Sequence, residues 1–172
     1  MTVALRIGAV VFVAAIFQVA VLSGWELAGG FPDLLLVTVV CIALLRGAAA
    51  GAIAGFVGGL LVDTATLGTL GVTSLLLVLA GHWAGRYGET TGRDRAYAPY
   101  LAVTVIALGV GVGGYLVHFL IGDAVSARLA LPPVLPSALL DLLLTWPVYR
   151  LCRFAIGARP DAERPREVEL VV

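Results

Sequence analysis

The chain has 172 residues, 60% of them hydrophobic and 13% charged, with no formal net charge and a mean hydropathy of +1.04. Soluble domains run at about 45–50% apolar and about 25% charged, so one globular core cannot hide this much apolar surface and a membrane class follows. All eleven cationic side chains are arginine and none falls in a basic patch, which excludes nucleic acid as a partner.

Residues 3–22 are apolar apart from Arg6 and Gln18, long enough for a first span. A secretory leader has a similar outline, but no small-residue cleavage site follows, because Ser23-Gly24-Trp25-Glu26 leads straight to Gly29-Gly30. The segment therefore reads as a retained helix. Phe31-Pro32-Asp33 then marks a helix start, since proline suits a first turn and an early acid suits the positive end of the helix dipole. The second span, 33–45, is short, roughly 20 Å at 1.5 Å per residue, and Arg46 stops it.

The third span, 47–62, carries glycines every four residues at Gly47, Gly51, Gly55 and Gly59, with Ala50, Ala54 and Gly58 as a second small-residue row. Residues four apart on a helix lie above one another, so these rows form a groove without side chains. Lipid cannot satisfy a backbone, which enforces helicity, and small residues let a neighbouring helix approach closely. This is the expected central packing helix, and Gly47, Gly51, Gly55, Gly58 and Gly59 are the expected contacts for a partner's helix. A re-entrant hairpin is the alternative for this short pair, but snorkelling of Arg46 and local bilayer thinning accommodate two spans.

Asp63 to Gly71 reads as a loop, 70–87 as the fourth span, Gly88 to Ala98 as a polar loop, 99–121 as the fifth span with a second small-residue face at Gly109, Gly113 and Gly114, and 133–152 as the sixth. Residues 1–156 thus form one membrane domain, and the proline-bearing, mixed-charge tail 157–172 reads as disordered. Six spans place both ends on one side, which then holds Arg6, Arg46, Arg86, Arg93, Arg95, Arg150, Arg153, Arg159, Arg164 and Arg166, with Arg128 alone opposite. The positive-inside rule makes that side cytoplasmic. The expected fold is an all-α integral membrane protein, a six-transmembrane-helix bundle with cytoplasmic termini.

Chemistry has few carriers. Asp33 and Asp63 sit at the outer face, as capping acids or as ligands for a cation or a partner arginine, while Asp141 lies within the sixth span. An unpaired carboxylate there costs several kcal/mol and normally faces a protein interior or cavity; it is either a polar anchor for a ligand, proton or helix, or an internally bonded structural acid. His82 and His118 read as interfacial histidines, and Cys41 and Cys152 as packed thiols. No nucleophile–base pair, phosphate loop, metal spacing or cofactor motif is present in the sequence, so neither a catalytic nor a metal residue is expected.

A six-span chain with PDLLLVTVV opening its second span, GFVGGLLVD (Gly55 to Asp63) closing its third and LGTLGVTSLL (Leu67 to Leu76) running into its fourth resembles the rod shape-determining MreD family. The resemblance implies a multi-pass inner-membrane component of the cell-wall elongation machinery. It would work with the single-span organiser MreC, and through it with the peptidoglycan polymerase and transpeptidase pair and the MreB filament. The family is similar in architecture to the six-helix substrate-binding subunits of energy-coupling-factor transporters and has no established catalytic residues. The leading expectation is a non-enzymatic scaffold whose glycine grooves receive a partner's transmembrane helix. A substrate-binding subunit of a vitamin or small-solute transporter, or an ion-coupled carrier using Asp141, are the alternatives.

Overall fold

The computed structural model describes residues 2–24, 29–67, 69–91, 97–122 and 132–157. Among them are six α-helices: α1 (Thr2–Ala20), α2 (Leu34–Arg46), α3 (Ala48–Thr66), α4 (Val72–Thr91), α5 (Ala98–Ile121) and α6 (Val134–Ile156), with a short 3-10 turn at Leu22–Gly24. By length and composition α1, α3, α5 and α6 can each cross a membrane, while α2 is a shorter apolar helix. The chain is a helical membrane protein. Trp25, Glu26, Arg93, Arg95, Arg128 and the tail beyond Gly157 lie outside the described residues.

The centre of the bundle is α2, not α3. Every residue from Leu35 to Leu45 is buried, whereas α3 leaves Ile53, Phe56, Val57 and Leu60 exposed. A helix of thirteen residues is roughly 20 Å long, too short for a hydrocarbon layer of about 30 Å, and inside a protein jacket it has no need to meet lipid at either end. Apolar composition all round does not reveal this, because lipid-facing helices share it.

Contacts between neighbours give the bundle two distinct ends. At one end the last turns of α1 and α3 meet the first turns of α2 and α4, joined by Gln18, Asp33, Asp63 and Asp141. At the other, the end of α2 meets the end of α6, and α3 begins beside the end of α4. All five described arginines, Arg6, Arg46, Arg86, Arg150 and Arg153, lie in the halves of their helices nearer this second end, Arg46 and Arg153 in the last turn. Two helices are longer than their apolar runs suggest: α3 continues past Asp63 to Thr66, and α4 passes Gly88 to reach Thr91.

The glycine row of α3 is occupied by the chain's own α4. A Cβ on Gly51, Gly55 or Gly59 would stand 2.5 Å from the carbonyl oxygen of Gly81, 2.2 Å from that of Leu77 and 2.4 Å from Cα of Ser74. The row is reciprocated on α4, where a Cβ on Gly81 would be 2.2 Å from the oxygen of Gly51 and one on Gly85 2.3 Å from Ala48. Backbone lies on backbone along this seam, the close approach that small-residue rows permit. Gly58 lies on the adjacent face, toward Leu35 and Val11. Gly47 takes a positive φ of 97° between α2 and α3, a conformation costly for other residues. Along these rows the neighbours are elements of the same chain, α4 beside Gly51, Gly55 and Gly59 and α1 and α2 beside Gly58.

Candidate functional site

Short helices starting or ending inside a membrane protein leave four backbone groups unpaired at each end, and lipid offers no replacement. Side chains from neighbouring elements meet that requirement here. The most elaborate case is the start of α2. Gly30 lies so close to α6 that a Cβ would be 2.5 Å from the Ser137 nitrogen, and the Phe31 N–H donates to Ser137 Oγ at 2.8 Å. The Asp33 N–H donates to Asp141 Oδ1 at 2.7 Å, and Asp33 Oδ1 accepts from the Leu36 N–H at 2.9 Å as an N-cap. Gln18 on α1 works in both directions, its Oε1 accepting from the Leu34 N–H at 2.8 Å and its Nε2 donating to the Pro32 carbonyl at 3.2 Å.

Asp63, only 2% exposed, performs the same service for α4. Its carboxylate accepts from the Gly71 N–H at 2.8 Å, from Thr73 and Ser74 N–H at 3.3 Å each, and from Ser74 Oγ at 3.4 Å. At the other end Glu89 Oε1 accepts from the Ala48 N–H at 3.1 Å, capping α3, and the Arg46 guanidinium donates to the Ile156 carbonyl, capping α6. An acid at a helix start and a cation at a helix end both match the dipole.

The three acids singled out in the sequence are thus each bonded to backbone donors. Asp33 and Asp141 meet in one network, and Asp63 stands in a separate one. Asp141 is also 2% exposed, and its own carbonyl accepts from Thr145 Oγ1 at 2.8 Å. Gln18, Gly30, Ser137 and Glu89 were not singled out by sequence reasoning. A lone glutamine in an otherwise apolar span is the signal for Gln18, because a polar group there must find a partner; Gly30 and Ser137 carry no such mark. His82 is exposed and meets Trp83 edge-on at 6.3 Å, and Cys41 and Cys152 are free and buried. Among the described residues no group of three or more His, Cys, Asp or Glu is placed to hold a metal.

The described hollows are of a different character. The clearest lies between α1 and α6, about 420 Å³ in volume, floored by Leu34 and Thr38 of α2. Its walls are Ala9, Val13 and Phe17 on α1 and Val148, Leu151 and Ala155 on α6, a run from residue 9 to 17 that spans about 12 Å of helix. Its rims are open to the membrane, with Val13 64% and Leu151 62% exposed. Two further apolar hollows, about 310 and 330 Å³, separate α1 from α3. Only Val11, Ala14 and Ala15 of α1 are buried, so α1 is loosely seated beside the central helix.

The family model described as rod shape-determining protein MreD matches residues 1–155. No curated protein and no solved structure matches the chain. MreD proteins are cell-shape-determining membrane proteins, in keeping with the apolar helices described above. With the match extending over all six helices, the chain belongs to the MreD family.

Proposed function

We propose that the chain is a non-enzymatic scaffold of the cell-wall elongation machinery in the bacterial inner membrane, and that it holds the transmembrane helix of an MreC-like single-span protein. Through that partner it connects to the peptidoglycan polymerase and transpeptidase and to the MreB filament. The family supports the setting. The observation that carries the scaffold reading is the use made of the polar side chains inside the bundle: buried Asp63, Asp141, Thr38 and Thr145 and half-buried Asp33 all bond to backbone groups of the chain itself. A small-molecule site needs a few convergent polar groups around a pocket, and the hollow between α1 and α6 is walled by apolar side chains instead.

With α4 in the glycine seam, the docking position moves to the groove between α1 and α6. Small residues there, Ala9, Ala14 and Ala155, permit close approach of a single helix. The arginine-bearing end faces the cytoplasm by the positive-inside rule, with both termini on that side. Co-purification with a tagged MreC-like partner tests this. Val13→Trp fills the groove from its exposed rim and is expected to reduce recovery of the partner at least fivefold. Val105→Trp, on an exposed position of α5 (61%), is expected to leave recovery unchanged. Equal recovery with both variants would remove the groove from the account.

A further inference from the structure

The arginine-bearing end of α6 presents a surface that the caps do not use and that shares Leu151 alone with the α1–α6 groove. Pro147, Arg150, Leu151 and Phe154 fall at the i, i+3, i+4 and i+7 positions of one helical face, opposite the row Asp141, Thr145, Val148 and Cys152 that is buried in the bundle. Arg153 and Tyr149 flank that face, and together these six residues line a shallow hollow of about 610 Å³. Phe154 is 90% exposed and Leu151 62%, so apolar surface stands beside two guanidinium groups. The Arg150 guanidinium lies 5.1 Å from the centroid of the Trp146 ring, a cation–π contact that holds it back along the helix toward the membrane. Among the described residues neither Arg150 nor Arg153 has a carboxylate partner.

We infer that this face binds an anionic phospholipid, its phosphate between Arg150 and Arg153 and its glycerol and acyl carbons against Leu151 and Phe154. The charge complementarity favours a phosphate, for which arginine offers a planar fork of donors. The flanking apolar side chains favour one that carries acyl chains, and the position on the final turns of a membrane helix places the guanidinium groups at headgroup depth. The negative end of the α6 dipole accounts for one arginine in the last turn. It does not account for a second arginine one turn earlier, held over a tryptophan on the outward face.

Trp146 provides the probe. In a Trp25→Phe, Trp83→Phe background it is the only indole in the chain, and lipids with brominated acyl chains quench a tryptophan that they touch. The protein is reconstituted in phosphatidylcholine containing a small fraction of brominated phosphatidylglycerol or of brominated phosphatidylcholine. Each arginine near a lipid surface contributes a factor of about five toward anionic lipid, so quenching in the parent is expected at several-fold lower mole fraction of the brominated anionic lipid. Arg150→Gln with Arg153→Gln, both on the outward face, is expected to cancel most of that preference. Equal quenching by the two lipids in the parent, or an unchanged preference in the double variant, would overturn the assignment. Relief of quenching by an equal concentration of soluble glycerol phosphate would overturn the commitment to a lipid rather than a free phosphate.

Discussion

Substitution of Gly55 by alanine is the sharpest test of how the bundle is held together. The added Cβ would sit 2.2 Å from the Leu77 carbonyl oxygen and 2.5 Å from its carbon. Ordinary contact begins at 3.4 Å, so α4 must retreat by 3.4 minus 2.2, or 1.2 Å. These are backbone atoms, and no rotamer change relieves them. A retreat of this size opens the neighbouring approaches at Gly51, Gly59, Gly81 and Gly85 together, and gaps of 0.5–1 Å already forfeit about a quarter to a half of each dispersion contact. Overpacking costs about 1–3 kcal/mol, and the rigidity of the obstacle places this case near the upper end. Alanine's better helix propensity offsets at most about 1 kcal/mol. The net expectation is a loss of about 2 kcal/mol, equivalent to a melting temperature lower by about 4–8 °C at this chain length. Gly109→Ala is the matched control, because a Cβ there meets nothing within 4 Å. Thermal unfolding in a neutral detergent, followed by circular dichroism, reads both. Equal stability of the two variants would refute a seam built on backbone contact.

The caps make further expectations. Asp63→Ala removes the acceptor for Gly71, Thr73 and Ser74; hydrogen bonds to charged groups contribute about 1.5–3 kcal/mol, so the denaturation midpoint should fall clearly, with faster hydrogen exchange in the first turn of α4. Asp141→Asn keeps an oxygen that can accept from the Asp33 N–H, and is expected to fold within about 1 kcal/mol of the parent. Asp141→Leu leaves that N–H without its acceptor and should cost about 1–3 kcal/mol. If leucine proved as well tolerated as asparagine by the same unfolding assay, the Asp33–Asp141 link would not support the fold.

The apolar helices themselves were readable because the bilayer removes the competition between helix and strand or loop: backbone groups have no other solution in lipid. What the sequence does not encode locally is which face each helix turns inward. LLLVTVVCIALL in α2 and VALRIGAVVFVAAIFQVA in α1 are similarly apolar, yet α2 is buried all round and α1 is largely exposed. In water the polar face would have distinguished them; in a membrane apolar side chains suit both environments. The same ambiguity surrounded the glycine row, since a groove that admits a foreign helix also admits the next helix of its own chain.

The polar residues were partly legible. Asp33 and Asp63 stand at helix junctions, where a capping role is suggested by position. Asp141 was marked by its cost within a span, but its partner, a backbone N–H more than a hundred residues away, leaves no trace in spacing. Gln18 and Ser137 gain their roles only when α1 and α6 converge on the start of α2.

The central claim concerns what the bundle holds in the membrane. Purification of the tagged chain from its native membrane in mild detergent, with mass spectrometric identification of what accompanies it, addresses that directly. The scaffold account predicts a near-stoichiometric single-span protein with a coiled coil and an extracytoplasmic β domain, together with wall-synthesis enzymes. Recovery instead of an ATPase pair with its membrane coupling subunit, or of a bound vitamin, would contradict it and identify a transporter component.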